Sequence, residues 1–233
     1  LTMLMETFLP AFLLGLGFLG LGAVVLRAGP SLETNLVFAL FATIMAAFAV
    51  NQTYAFRIGS HLAGTALVAL VLVIAWVPFL GAVVAHMLDL LTPTSPLASL
   101  NRRLRRPNYY LSALVAVVGS GAFVAGDHPL VYPIGNGYLA FVTASLAFAV
   151  LWGLAGVGWA FRQAPSQRVR RQTGLILASL AITVPFMIPY ALYFLTAAPA
   201  LNVINSVPYL GLALVALLAY AILRYQVFAS RAR

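Results

Sequence analysis

Cysteine is absent from the 233 residues, and so is lysine. Without thiols there is no disulfide framework, no thiolate zinc site and no iron–sulfur ligand set. Without a lysine amine, no Schiff base to retinal can form. Acidic residues are nearly as scarce: Glu6, Glu33, Asp89 and Asp127 are the only four, and each falls near the end of an apolar stretch. Ion pumping, which needs an acidic group deep in a span, is disfavoured on that ground. Charged residues make up 7% of the chain against 63% hydrophobic ones, and the mean hydropathy is +1.02. A soluble domain needs a polar shell and cannot hide that much apolar surface. The apolar stretches and their short connections use up the chain, so no soluble catalytic domain fits, and the chain reads as non-enzymatic. The net charge of +9 comes entirely from arginine. Because cytoplasmic loops of membrane proteins collect basic residues, it indicates orientation in a membrane and no nucleic-acid partner.

Repeated apolar stretches of membrane-spanning length predict an all-α membrane protein. The expected architecture is a single domain, 1–233, forming a bundle of seven transmembrane helices. Their approximate bounds are 8–26, 35–54, 62–91, 109–125, 138–161, 173–197 and 207–225. The first apolar run lacks a basic flank and carries Glu6, so it reads as a retained helix and not as a cleaved signal. The chain opens on Leu1, which reads as a processed or incomplete start. Helix one ends at Arg27-Ala28-Gly29-Pro30, a stop of charge, glycine and proline. Helix three, at thirty residues, would span roughly 45 Å. It must tilt, kink at Pro78 or project from one end. Pro208 suits the first turn of helix seven.

Arginine placement orients the bundle. With the N-terminus outside and the C-terminus inside, the inner segments hold Arg27, Arg102, Arg103, Arg105, Arg106, Arg162, Arg168, Arg170, Arg171, Arg224, Arg231 and Arg233. Only Arg57 is left outside, and an even number of spans would put four-arginine clusters on opposite sides. The localisation that follows is multi-pass in a membrane; that it is a bacterial inner membrane is implied by the family resemblance described below. Small residues recur every fourth position in Ala39, Thr43, Ala47 and Asn51, in Ser112, Ala116 and Ser120, and in Ser145, Ala149 and Gly153. That spacing lets helix backbones approach closely in lipid, so these faces are expected to point into the bundle.

Several motifs carry a functional reading beside a plainer one. Gly15-Leu16-Gly17-Phe18-Leu19-Gly20 matches the dinucleotide pattern letter for letter, but it lies inside a spanning helix instead of a strand–helix turn; its glycines are packing residues. Asn51-Gln52-Thr53 fits a glycosylation sequon at a helix end and reads as chance. Asn51 itself is either an interhelical hydrogen bond or a ligand contact. His86 and Asp89, one turn apart, read as a structural polar pair near the inner headgroups; a proton relay is the functional alternative. Haem ligation would need two imidazoles at one depth. His86 is inner, while His61 and His128 sit in loop-like context near the outer side, so no cofactor and no metal are expected. Pro185 and Pro189 disturb the ladder of helix six, either as a static kink or as a hinge beside a cavity lined by Asn51, Tyr190 and Tyr193. Leu97, Leu100 and Leu104 align at helical spacing while Arg102, Arg103, Arg105 and Arg106 face elsewhere, the pattern of an interfacial helix binding anionic lipid.

The final stretch Leu218-Ala219-Tyr220-Ala221-Ile222-Leu223-Arg224-Tyr225-Gln226-Val227-Phe228 resembles the end of the seven-helix sensor region at the N-terminus of many bacterial histidine kinases. In that family the last helix closes with a tyrosine–alanine–isoleucine–leucine–arginine–tyrosine run and a nearby phenylalanine. Arg27 followed by Asn35 and Phe38-Ala39-Leu40 resembles its first loop and second helix. Trp76, Pro78 and His86 resemble part of its third helix, and Arg171-Gln172 with Gly174 the start of its sixth. The resemblance is spread over nearly the whole chain, and the C-terminal run is its specific part. The family continues into a cytoplasmic signalling module, whereas this sequence ends at Ala229-Ser230-Arg231-Ala232-Arg233, so catalysis is not carried over.

Two functions follow. The first is a sensory input or protein-interaction module in which a ligand or membrane condition biases two packings of the bundle. The second is a structural accessory subunit of a larger membrane complex, respiratory or photosynthetic. The partners implied are membrane lipids and either other membrane subunits or a cytoplasmic signalling protein. A small transporter is disfavoured by the missing repeat and the missing midplane charge.

Overall fold

In a computed structural model the structure describes residues 9–29, 32–55, 75–92, 95–125, 131–196, 212, 215–217, 219 and 220. Side chains are described at these positions except 48, 50–55, 123–125, 131–132 and 183–196. The described residues are helical apart from short turns, with no strand among them. Six helices have defined bounds: α1 Leu9–Ala28, α2 Glu33–Ala55, α3 Phe79–Leu91, α4 Pro96–Ala125, α5 Val131–Arg162 and α6 Gln167–Thr196. Shorter helical pieces follow at 215–217 and 219–220. α1 and the part of α5 from Pro133 to Arg162 are long and apolar enough to cross a membrane.

The α1–α2 hairpin is held by shape. Phe18 is fully buried and meets Phe41 edge-on, with ring centroids 5.9 Å apart, and Phe38 packs on Phe41 at 6.1 Å. Asn35, also fully buried, donates from Nδ2 to the carbonyls of Val25 (3.1 Å) and Gly29 (3.0 Å). These are carbonyls at the end of α1, where helical partners run out. A β-carbon on Gly29 would come within 2.9 Å of that amide nitrogen, so a larger residue there would have to displace the Asn35 amide from the cap.

The inward face of α2 is offset from the expected one. Phe38, Phe41, Ala42, Ala46 and Ala49 are buried, whereas Thr43, the middle of the expected small-residue row, is exposed. Its hydroxyl donates to its own helix at Ala39 O, 2.9 Å away. Spacing alone could not separate two rows one residue apart; the aromatic rings, which fill the space against α1, select the row that includes Phe38.

α3 begins where Pro78, in helical geometry at φ −58°, stands as its cap residue after a turn at Val77. The helix is therefore interrupted at the proline. Residues 56–74, most of the remaining expected third helix, lie outside the described residues. α3 and α5 run side by side in the same direction. A β-carbon on Gly81 would lie 2.8 Å from the backbone of Ser145, and one on Gly156 3.5 Å from Thr92 Oγ1. The Gly81 contact is backbone against backbone, which no larger residue permits.

α4 takes in both the expected surface helix and the expected fourth span, running through Pro107 without a break. Pro107 removes one donor, which would have served the Arg103 carbonyl. Leu100, Leu104, Leu111, Leu114 and Val118 form one exposed apolar stripe along its length. Beyond α3 and α4, the core includes Ala149 and Val157 of α5 and Leu180 of α6, and Leu212, Val215 and Ala219 pack against it.

Candidate functional site: a polar junction at the charged end

Every charged residue whose side chain is described falls at one end of the bundle. Arg27 closes α1 and Glu33 opens α2. Asp89 ends α3, and Arg102, Arg103, Arg105 and Arg106 follow in the first turns of α4. Arg162 closes α5, while Arg168, Arg170 and Arg171 open α6. Arg170 lies over the ring of Phe161, 5.0 Å from its centroid. Beside them an open groove of about 360 Å³ is lined by Phe161, Gln167, Arg170, Arg171 and Gly174.

At the centre of this end three helices are tied by side chains. Asn101, Arg105 and Tyr109 recur every fourth residue on α4, so all three face α3. Asn101, which is buried, donates from Nδ2 to Ala85 O at 2.9 Å. The Tyr109 hydroxyl lies 3.2 Å from His86 Nδ1, and its ring meets the imidazole edge-on at 6.0 Å. His86 Nε2 lies 3.1 Å from Glu33 Oε1 of α2. Arg105 Nη1 donates to the same carboxylate oxygen at 3.3 Å and stands 2.6 Å from His86 Nε2.

The approaches of Arg105 and Glu33 to His86 Nε2 cannot both be hydrogen bonds in one protonation pattern. If Arg105 donates to Nε2, the imidazole proton is on Nδ1 and donates to the Tyr109 oxygen. If Nε2 carries the proton it donates to Glu33, and the Arg105 N–H, also a donor, must withdraw from that nitrogen. Adding a proton to the neutral ring in its first pattern likewise evicts Arg105. His86 Nε2 thus has two exclusive partners, Arg105 of α4 and Glu33 of α2, while Tyr109 of α4 can bond Nδ1 in either case, as acceptor or as donor.

A second feature adjoins the junction. Asp89 is 7% exposed, and its Oδ1 has no hydrogen-bond partner among the described residues. It lines a cavity of about 10 Å³ with Leu88, Thr92, Ser95, Trp152 and Gly156.

Of the four arginines expected to meet lipid, Arg102, Arg103 and Arg106 are exposed, whereas Arg105 is directed inward and held by Glu33 and His86. Treating the segment before Pro107 as a separate surface helix conceals this, because Arg105 lines up with Asn101 and Tyr109 only when the helix continues through the proline. Asn51, Tyr190 and Tyr193 fall on helical backbone far along α2 and α6 from the arginine end, and their side chains lie outside the described residues. His61 and His128 also lie outside them. Among the described residues no three metal-ligating side chains cluster. Comparison with protein families, with curated proteins and with solved structures gives no match to this chain.

Proposed function

We propose that this chain is a multi-pass membrane module of the sensory-input type, oriented with its arginine-rich end toward the cytoplasm. The resemblance of the run from Leu218 to Phe228 to the end of the sensor region of bacterial histidine kinases supports this reading. The observation that carries it is His86 Nε2, which faces a donor on α4 and an acceptor on α2 and can satisfy only one of them. A stimulus acting elsewhere in the bundle need only change the α2–α4 spacing slightly to favour one arrangement, and the arginine-rich end would report the change. The outer-half cavity envisaged between Asn51, Tyr190 and Tyr193 is the place for such a stimulus. The exposed Arg102, Arg103 and Arg106 serve anionic lipid at the same surface.

The charged groups acting on His86 are Glu33 from α2, Asp89 from its own helix and Arg105 from α4. Because the chain has no cysteine, spin labels can be attached at cysteines replacing the exposed Leu36 on α2 and Arg106 on α4. Two distance populations whose ratio follows pH, and stops doing so in His86→Gln, are expected. The second reading, a structural accessory subunit, is favoured by the close packing of the α1–α2 hairpin. A single narrow distance distribution, unmoved by pH or by His86→Gln, would establish that static role.

A further inference from the structure

The buried carboxylate of Asp89 makes no hydrogen bond in the His86 junction. Among the described residues its Oδ1 has no hydrogen-bond partner and no arginine forms an ion pair with it. Arg102 and Arg105 are close enough to influence it, but Arg105 is engaged by Glu33 and Arg102 Nε donates to Ala98 O at 3.3 Å. An ionised carboxylate removed from water needs a compensating positive charge or a proton.

The cavity supplies oxygen atoms and few donors. Thr92 Oγ1 spends its proton on Leu88 O, 2.7 Å away, leaving its lone pairs free. Ser95 Oγ accepts from the Leu97 N–H at 3.3 Å and keeps a lone pair. Asp89, Thr92 and Ser95, from the end of α3 and the turn into α4, line one cavity of about 10 Å³, about the space of one water. Neutral water would fit that space, but would leave the carboxylate charge uncompensated. Calcium takes six to eight oxygens and magnesium keeps a hydration shell, and one carboxylate in so small a space suits neither.

From this we propose that the Asp89 cavity binds a small monovalent cation of sodium's size, held by Asp89, Thr92 and Ser95. The site does not depend on the sensory reading, since its occupancy is read directly as binding. The wall opposite the hydroxyls is Gly156, where a β-carbon would lie 3.5 Å from Thr92 Oγ1 and 3.7 Å from Ser95 Oγ. These are ordinary contact distances, so Gly156→Ala fills the space for the ion while leaving both helices in place.

The test uses the full chain in a neutral detergent, with sodium, potassium or choline chloride at matched ionic strength. Sodium is expected to raise the unfolding temperature by about 2–4 °C, saturably and relative to the other two salts. Asp89→Asn and Gly156→Ala should each abolish the difference while still unfolding cooperatively. Broadening of the sodium-23 resonance by the unsubstituted protein, with an excess line width that falls as total sodium is raised past saturation but not when choline is added, measures the same binding without any variant. Equal unfolding temperatures in the three salts together with no broadening would overturn the site. So would an undiminished sodium effect in Asp89→Asn, or a stability that follows pH and ignores sodium, which marks Asp89 as a protonated acid.

Discussion

The two ends of α2 belong to different kinds of interface. From Asn35 to Ala49 the helix meets α1 through rings and methyl groups, with polar atoms confined to the cap made by Asn35. At Glu33, on its first turn, it meets α3 and α4 through charged and ionisable side chains. Packing of the first kind has one good solution, because rings such as Phe18 and Phe41 lose their contacts as soon as they separate. Hydrogen bonding of the second kind has two, since the His86 imidazole can place its proton on either nitrogen. One helix can therefore be anchored along most of its length and still participate in a two-state contact at its start.

The contrast predicts unequal costs. Replacing Phe18 with alanine should be the most damaging change, lowering stability by about 3–5 kcal/mol in a detergent unfolding titration. A loss below about 1 kcal/mol would mean that the hairpin is loosely packed and the contrast fails. At the junction, Arg105→Gln should cost about 1 kcal/mol or less, because its side chain is 33% exposed and its pairing with Glu33 is screened. Its larger effect should be on the arrangement of His86, which loses a competing donor; the ring-nitrogen NMR shifts should move toward the pattern with the proton on Nε2. A stability loss as large as that of Phe18→Ala would make the junction a structural pillar instead of a switch. Smallest of all, Thr43→Ala should change stability by less than about 0.5 kcal/mol, since the hydroxyl is exposed and bonds only its own helix. A larger loss would restore the small-residue row of Ala39, Thr43 and Ala47 as an interface.

Helices were legible in the sequence because apolar runs are long and their ends are marked by arginine, glycine and proline. α1 and α2 lie within two residues of the expected bounds. The fourth helix was not, because Pro107 ordinarily argues for a break, yet it costs one backbone bond and the helix absorbs it. His86 and Asp89 stood out as ionisable groups in an apolar stretch. The partners of His86 did not, since Glu33 lies 53 residues before it and Tyr109 lies 23 after it, and local periodicity carries no information about which helices become neighbours. The choice of face on α2 was right at Ala39, whose backbone lies against Gly22 of α1, and wrong at Thr43, which is exposed: two candidate rows differ by one position, and only the shape of α1 decides between them.

The Asn35 cap bears on how the protein is made. The last carbonyls of α1 find their donors on a residue of α2, ten and six positions further along the chain. An apolar helix released alone into lipid would leave those carbonyls for water or headgroups to satisfy. The hairpin thus sets an order for synthesis: the end of α1 is completed only once the first turn of α2 has been made, so the two helices mature as a pair.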